Sequence, residues 1–139
     1  MKIAFYKHNK NFVSKLVKWW THGDYSHCEL IIQEKDGLYL CGSVIPFKRI
    51  ELVWKQLKTE QWDIIDCPIG NSLHAQIFFE KIVGLKYDYL GLLGFIFRRG
   101  QQLDHRWFCS EAIAAAIGLK NPWRYCPNTL FDIIYSLRK

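Results

Sequence analysis

The side chains in this sequence best suited to chemistry are a cysteine heading an apolar run and a histidine with a carboxylate two residues on. Cys109 follows Trp107-Phe108 and precedes Ser110-Glu111-Ala112-Ile113-Ala114-Ala115-Ala116-Ile117. A helix starting near Cys109 would offer it unpaired N–H groups and a partial positive charge. Both favour the thiolate, which is the nucleophilic form of the side chain. The same N–H groups can hold an oxyanion. Positions 112, 113, 116 and 117 fall on the face of Cys109. They are Ala, Ile, Ala and Ile, which puts that face in the core with Cys109 at its inner end. The plainer alternative is an inert cysteine packing as a small apolar residue.

His27 lies far upstream in Asp24-Tyr25-Ser26-His27-Cys28-Glu29-Leu30. On a strand, residues i and i+2 share a face. His27 and Glu29 are therefore expected on one face, and Cys28 and Leu30 on the other, in the core. A carboxylate beside a histidine fixes the ring tautomer and stabilises the imidazolium. A merely polar sheet edge is the competing reading. Cysteine, histidine and carboxylate together are the set that nucleophilic catalysis by sulfur requires. His22, His27 and Cys28 do not make a metal site, because alternation points Cys28 away from His27. No metal and no cofactor is expected.

The elements that must position these residues follow from periodicity. Strands are expected at Ile3 to Tyr6, His27 to Ile32, Leu38 to Gly42, Ile50 to Trp54 and Trp62 to Asp66, with Lys35-Asp36-Gly37 as a hairpin turn. Asn11 to Trp20 has helical spacing, with Phe12, Leu16 and Trp19 or Trp20 on one stripe and Lys15 and Lys18 turned away. Further helices are expected at Leu73 to Val83 with Ser72 as N-cap, Tyr89 to Phe97, Cys109 to Ile117 ended by Gly118, and Thr129 to Leu137 capped by Asn128 or Thr129. Arg98 to Arg106 reads as a loop. The layout is α+β, a small antiparallel sheet packed by helices, in a single domain spanning 1–139. Glu111, in the first turn after Cys109, suits the helix dipole as a capping residue. Trp19, Trp20, Tyr25 and His22 precede or adjoin His27 and could line a substrate groove; core packing is the alternative for the tryptophans.

Half of the 139 residues are hydrophobic and 16% are aromatic, which is ample for a core and excludes a disordered chain. Lys and Arg outnumber Asp and Glu by 19 to 13, and the pI is about 9.1. That balance suits anionic partners such as membrane lipid headgroups, cell-wall polymers or nucleic acid, but the plainer reading, ordinary solubility of the domain, is favoured. The basic residues are scattered, and no nucleic-acid partner is expected. Five cysteines, an odd number without a CxxC pair, fit neither a disulfide framework nor a zinc site. With no signal peptide and no apolar run long enough to span a bilayer, a cytoplasmic location is expected.

Three runs carry a family resemblance: Tyr25-Ser26-His27-Cys28-Glu29-Leu30, Gly84-Leu85-Lys86-Tyr87-Asp88-Tyr89-Leu90-Gly91 and Trp107-Phe108-Cys109-Ser110-Glu111-Ala112. Together, with the histidine run preceding the cysteine run, they resemble the permuted NlpC/P60 papain-like hydrolases, and within them the YiiX-like branch. The resemblance implies a circularly permuted papain-like fold, Cys109 as nucleophile and His27 as general base. It points to a third polar residue, for which Glu29 is the candidate. In some relatives that role falls on the neighbouring strand, which here offers Cys41 and Ser43 but no carboxylate. Tyr87 matches a tyrosine near the nucleophile and would support the oxyanion, unless it is a core tyrosine. Pro127-Asn128-Thr129-Leu130 resembles a structural helix start. The implied activity is a cysteine hydrolase cleaving an amide or ester in a cell-wall peptide, an acyl amide or a lipid, in a bacterial or phage protein. Two alternatives stand beside it. One is a thiol acyltransferase of the lecithin-retinol acyltransferase type, whose usual Asn-Cys-Glu-His run is missing here. The other is a lipid- or peptide-binding module without turnover.

Overall fold

The computed structural model describes residues 1–8, 12–45, 48–87 and 106–138. Its centre is a five-stranded antiparallel sheet of β1 (Lys2–Tyr6), β2 (His27–Lys35), β3 (Leu38–Ser43), β4 (Glu51–Lys55) and β5 (Trp62–Asp66), in the spatial order β4-β3-β2-β1-β5. The β2–β3 hairpin turns on Asp36 and Gly37, both with positive φ (53° and 76°). Such a two-residue turn matches the twist of the strands it joins. A bulge between Ile31 and Gln33 shifts the register further along β2.

Helices α2 (Ser72–Ile82), α3 (Cys109–Ala116) and α4 (Pro127–Ser136) build one core with the sheet face that carries Ile3, Phe5, Cys28 and Leu30. Gly42 lies on this face because the Phe79 ring of α2 fills the space; a Cβ there would sit 2.7 Å from the ring. The opposite face carries a smaller apolar cluster of Ala4, Ile31, Cys41 and Leu57. Two short strands, β6 (Lys86–Tyr87) and β7 (Arg106–Trp107), pair in parallel and deliver the chain to α3. A single 3-10 turn, Pro122–Arg124, separates α3 from α4.

The α+β layout and all five expected strands are present; β2 runs three residues past its expected end, to Lys35, and the other ends agree to within a residue. Two caps differ from expectation. Asn71, not Ser72, caps α2, its Oδ1 accepting the N–H groups of Leu73 (2.9 Å) and His74 (3.2 Å). Helix α4 begins at Pro127 with Cys126 as N-cap, because proline is well placed in a first turn that needs no N–H donor. Asn128 is thereby released for another task. Helix α1 (Phe12–Thr21) forms as its spacing predicts, but Phe12, Trp19 and Trp20 face solvent. The expected helix from Tyr89 to Phe97 lies outside the described residues, as does the loop from Arg98 up to β7. Among the described residues, no helix is long and apolar enough to cross a membrane.

Candidate active site

Cys109 is the first residue of α3. The helix is buried on nearly all sides, including the expected face of Ala112, Ile113, Ala116 and Ile117. The Glu111 carboxylate accepts the Phe108 N–H at 3.4 Å, the capping role expected of it. Ser110 Oγ donates to the Tyr125 carbonyl at 2.6 Å and ties the same turn to the segment before α4. The sulfur of Cys109 is therefore carried on a turn that is fixed from both sides.

That sulfur lies at the start of β2, within hydrogen-bonding reach of His27 and Cys28. The Cys109 thiol is held well below its ordinary pKa. Hydrogen bonding from the Cys28 thiol is the largest cause; burial opposes it, and the charge and hydrogen bond of His27 and the Cys28 backbone N–H reinforce it. The Cys28 thiol moves the other way, pushed far up by burial and by the neighbouring Cys109. Of the two buried cysteines, the pairing favours the thiolate on Cys109 and the protonated thiol on Cys28.

His27 opens β2, with Tyr6 opposite it in the register. Its Nε2 lies 3.2 Å from Glu29 Oε1. A carboxylate only accepts, so Nε2 carries a proton and Nδ1 is the nitrogen left for the sulfur. Burial works against charge on this ring. The Cys109 thiolate and the Glu29 carboxylate overcome it and raise the ring to about 9. The Trp62 ring and the imidazole meet edge to face with centroids 5.9 Å apart.

Glu29 is 1% exposed, and a buried carboxylate must be compensated. Three donors converge on Oε1: His27 Nε2, Ser43 Oγ at 3.0 Å and Lys55 Nζ at 2.6 Å. Strand pairing explains the convergence. Glu29 neighbours Ser43 across β2–β3, and Lys55 is on the same face of β4. Burial would raise this carboxyl, but His27 and Lys55 bring it down to about 2. Cys41, on the same face, is pushed up to about 12 by burial and then by the charge of Glu29. The result is a chain of Lys55, Glu29, His27 and Cys109, buried at the carboxylate and the sulfur, which suits attack by sulfur on an electrophilic carbon. Among the described residues, no group of three or more His, Cys, Asp or Glu side chains is placed to hold a metal ion.

No protein-family model, curated protein or solved structure matches this chain.

The structure brings Cys109, His27 and Glu29 together. Tyr87 pairs with Trp107, two residues before Cys109, in β6–β7, and its side chain lies outside the described residues. Tyr25 is buried among Phe5 and Phe131, its hydroxyl donating to Asp63 at 2.8 Å, so it supports the strand start rather than lining an open groove. Trp19 and Trp20 stand on the outer side of α1, neither in the core. Cys28 is in the core as alternation predicts, yet it also serves the sulfur of Cys109. Lys55 and Trp62 were not legible as site residues; only the strand registers place them on the face of His27 and Glu29. Asn128 was missed too. Its Oδ1 accepts the Tyr25 N–H at 2.9 Å, and its Nδ2 donates to the Tyr25 carbonyl at 2.9 Å and to Thr21 Oγ1 at 2.7 Å. One amide thus clamps the segment leading into His27 onto α4.

Proposed function

We propose that this protein is a cysteine hydrolase that cleaves an amide or ester bond through an acyl-enzyme. The observation that carries the reading is the depressed Cys109 thiol at a helix N-terminus beside an imidazole whose other nitrogen meets a buried carboxylate. The Cys109 thiolate attacks the carbonyl carbon. The backbone N–H of Cys109 faces the developing oxyanion, and Tyr87 is the candidate second donor. The His27 imidazolium protonates the leaving amine or alcohol as the carbon–heteroatom bond breaks. The neutral ring then takes a proton from water, whose oxygen attacks the thioester and releases the acid and the thiolate. Glu29 holds the ring tautomer and balances its charge.

The histidine strand ahead of the cysteine helix, and the motif pair Ser-His-x-Glu-Leu and Phe-Cys-Ser-Glu, support a permuted papain-like fold of the NlpC/P60 kind. A cell-wall peptide, an acyl amide or a lipid would be the substrate class.

The test is the rate of alkylation by iodoacetamide at each cysteine as a function of pH, read by mass spectrometry. Cys109 is expected to react fastest and to stay reactive well below the ordinary thiol range, and His27→Ala should remove that advantage. Uniform reactivity of all five cysteines, or preferential labelling of Cys126, would sink the assignment. Added amine or alcohol acceptors then separate hydrolysis from acyl transfer.

A further inference from the structure

Helix α1 leaves the aromatic part of its apolar stripe outside. At 100° per residue, Phe12, Leu16, Trp19 and Trp20 form its apolar stripe. A surface helix normally buries that stripe. Here Phe12 is 77% exposed, Trp19 68% and Trp20 40%. Leu16 and Val17 are half-buried, and the inner side also carries polar contacts. Lys18 Nζ donates to the Lys7 carbonyl, and Thr21 Oγ1 accepts from Asn128. Single exposed apolar residues are ordinary, but three aromatics on one ten-residue helix mark an interaction surface.

The chemistry of this face selects its partner. Trp19 and Trp20 lean on one another with ring centroids 6.0 Å apart, giving a broad aromatic surface with indole N–H groups at its edge. Such rings favour the boundary between lipid headgroups and acyl chains. Lys15 is exposed on this helix, which has no Asp or Glu, whereas Lys18 is engaged by the Lys7 carbonyl; the chain carries a net charge of +6. Lysine stems can lie along apolar surface while their ammonium groups reach phosphates. We infer that α1 docks the protein on an anionic lipid surface, lying in the interface with Phe12, Trp19 and Trp20 inserted. Thr21 at the end of α1 is tied through Asn128 to Tyr25, two residues before His27. Docking therefore brings the candidate site close to the lipid surface. The inference rests on the helix and is independent of whether Cys109 is catalytic.

The test is flotation of the full chain with vesicles of phosphatidylcholine mixed with phosphatidylglycerol, against vesicles of phosphatidylcholine alone. Binding is expected to the mixed vesicles, with far weaker binding to the neutral ones and weakening as salt rises. Trp19→Ala combined with Trp20→Ala should weaken binding by about tenfold or more, since each removes a large inserted surface. Lys15→Glu should weaken it severalfold, and Cys109→Ser should bind as the parent does. Unchanged circular dichroism in these variants assigns the loss to the surface. Three results would overturn the inference: no binding to either vesicle, undiminished binding by the tryptophan variants, or a dimer in solution that Trp19→Ala dissolves. The last would assign the face to a second copy of the chain.

Discussion

Glu29 draws its charge compensation from three neighbours of unequal kind. Lys55 is one-quarter exposed, so its ion pair is partly screened. Replacing Lys55 with Met leaves a buried carboxylate held by His27 and Ser43 alone. The expected loss is roughly 2 kcal/mol of stability, read from the urea midpoint, because an undercompensated buried charge costs more than an exposed pair gains. The pH dependence follows from the same contacts. Glu29 sits at about 2 against an ordinary 4.5, so its contribution is complete above 4.5 and fades as pH falls toward 2. Glu29→Gln should flatten that acid limb in urea midpoints measured across pH. The ring of His27, raised to about 9, stays protonated through neutral pH. If it supplies the leaving-group proton, kcat/KM should fall as pH rises through about 9. Glu29→Gln should move that limb to lower pH, since the carboxylate that holds the proton is gone. A basic limb that stays in place would remove Glu29 from its proposed role.

The strand that carries His27 is held in place from the far end of the chain. Asn128→Ala leaves the Tyr25 N–H and carbonyl without their partner, which should cost about 1–3 kcal/mol and lower kcat by loosening the lead into His27. Gly23→Ala should have the same effect by another route, because a Cβ there would meet the Asn128 side chain at 2.1 Å. A thermal melt with kcat measured on each variant checks both, and an unchanged kcat in the two would mean that the clamp does not position the ring. Periodicity made the strands, α2, α3 and the Cys109 face readable, since alternation and helical spacing report local geometry directly. The Asn128 clamp was unreadable because it joins residues far apart in the chain through one amide, and such a contact leaves no periodic trace. The α1 stripe shows another limit. Spacing reveals that a helix has an apolar face, but which side meets the protein depends on tertiary partners, here Lys7 and Asn128. Lys55 was hidden for the same reason: it joins Glu29 only once β4 is paired with β3.

Across the whole molecule the five cysteines are buried and free. Because the Cys109 thiol is held well below its ordinary range beside His27, brief exposure to iodoacetamide in buffer should give a single adduct, on Cys109, and five adducts in denaturant. Several native adducts would show that the lowered thiol of Cys109 does not set it apart from the other four. The order of the strands carries a kinetic consequence as well. β1 sits between β2 and β5, although β5 follows it in the chain by some sixty residues. Local hairpins can form β2, β3 and β4 early, but β1 gains its second neighbour only after a long loop closes. His27 and Glu29 can thus reach a native-like hairpin before Cys109 arrives, and sheet completion, with α3 docked on it, becomes the late event. A refolding chain should recover the fluorescence of Trp54 and the other hairpin signals ahead of the reactivity of Cys109.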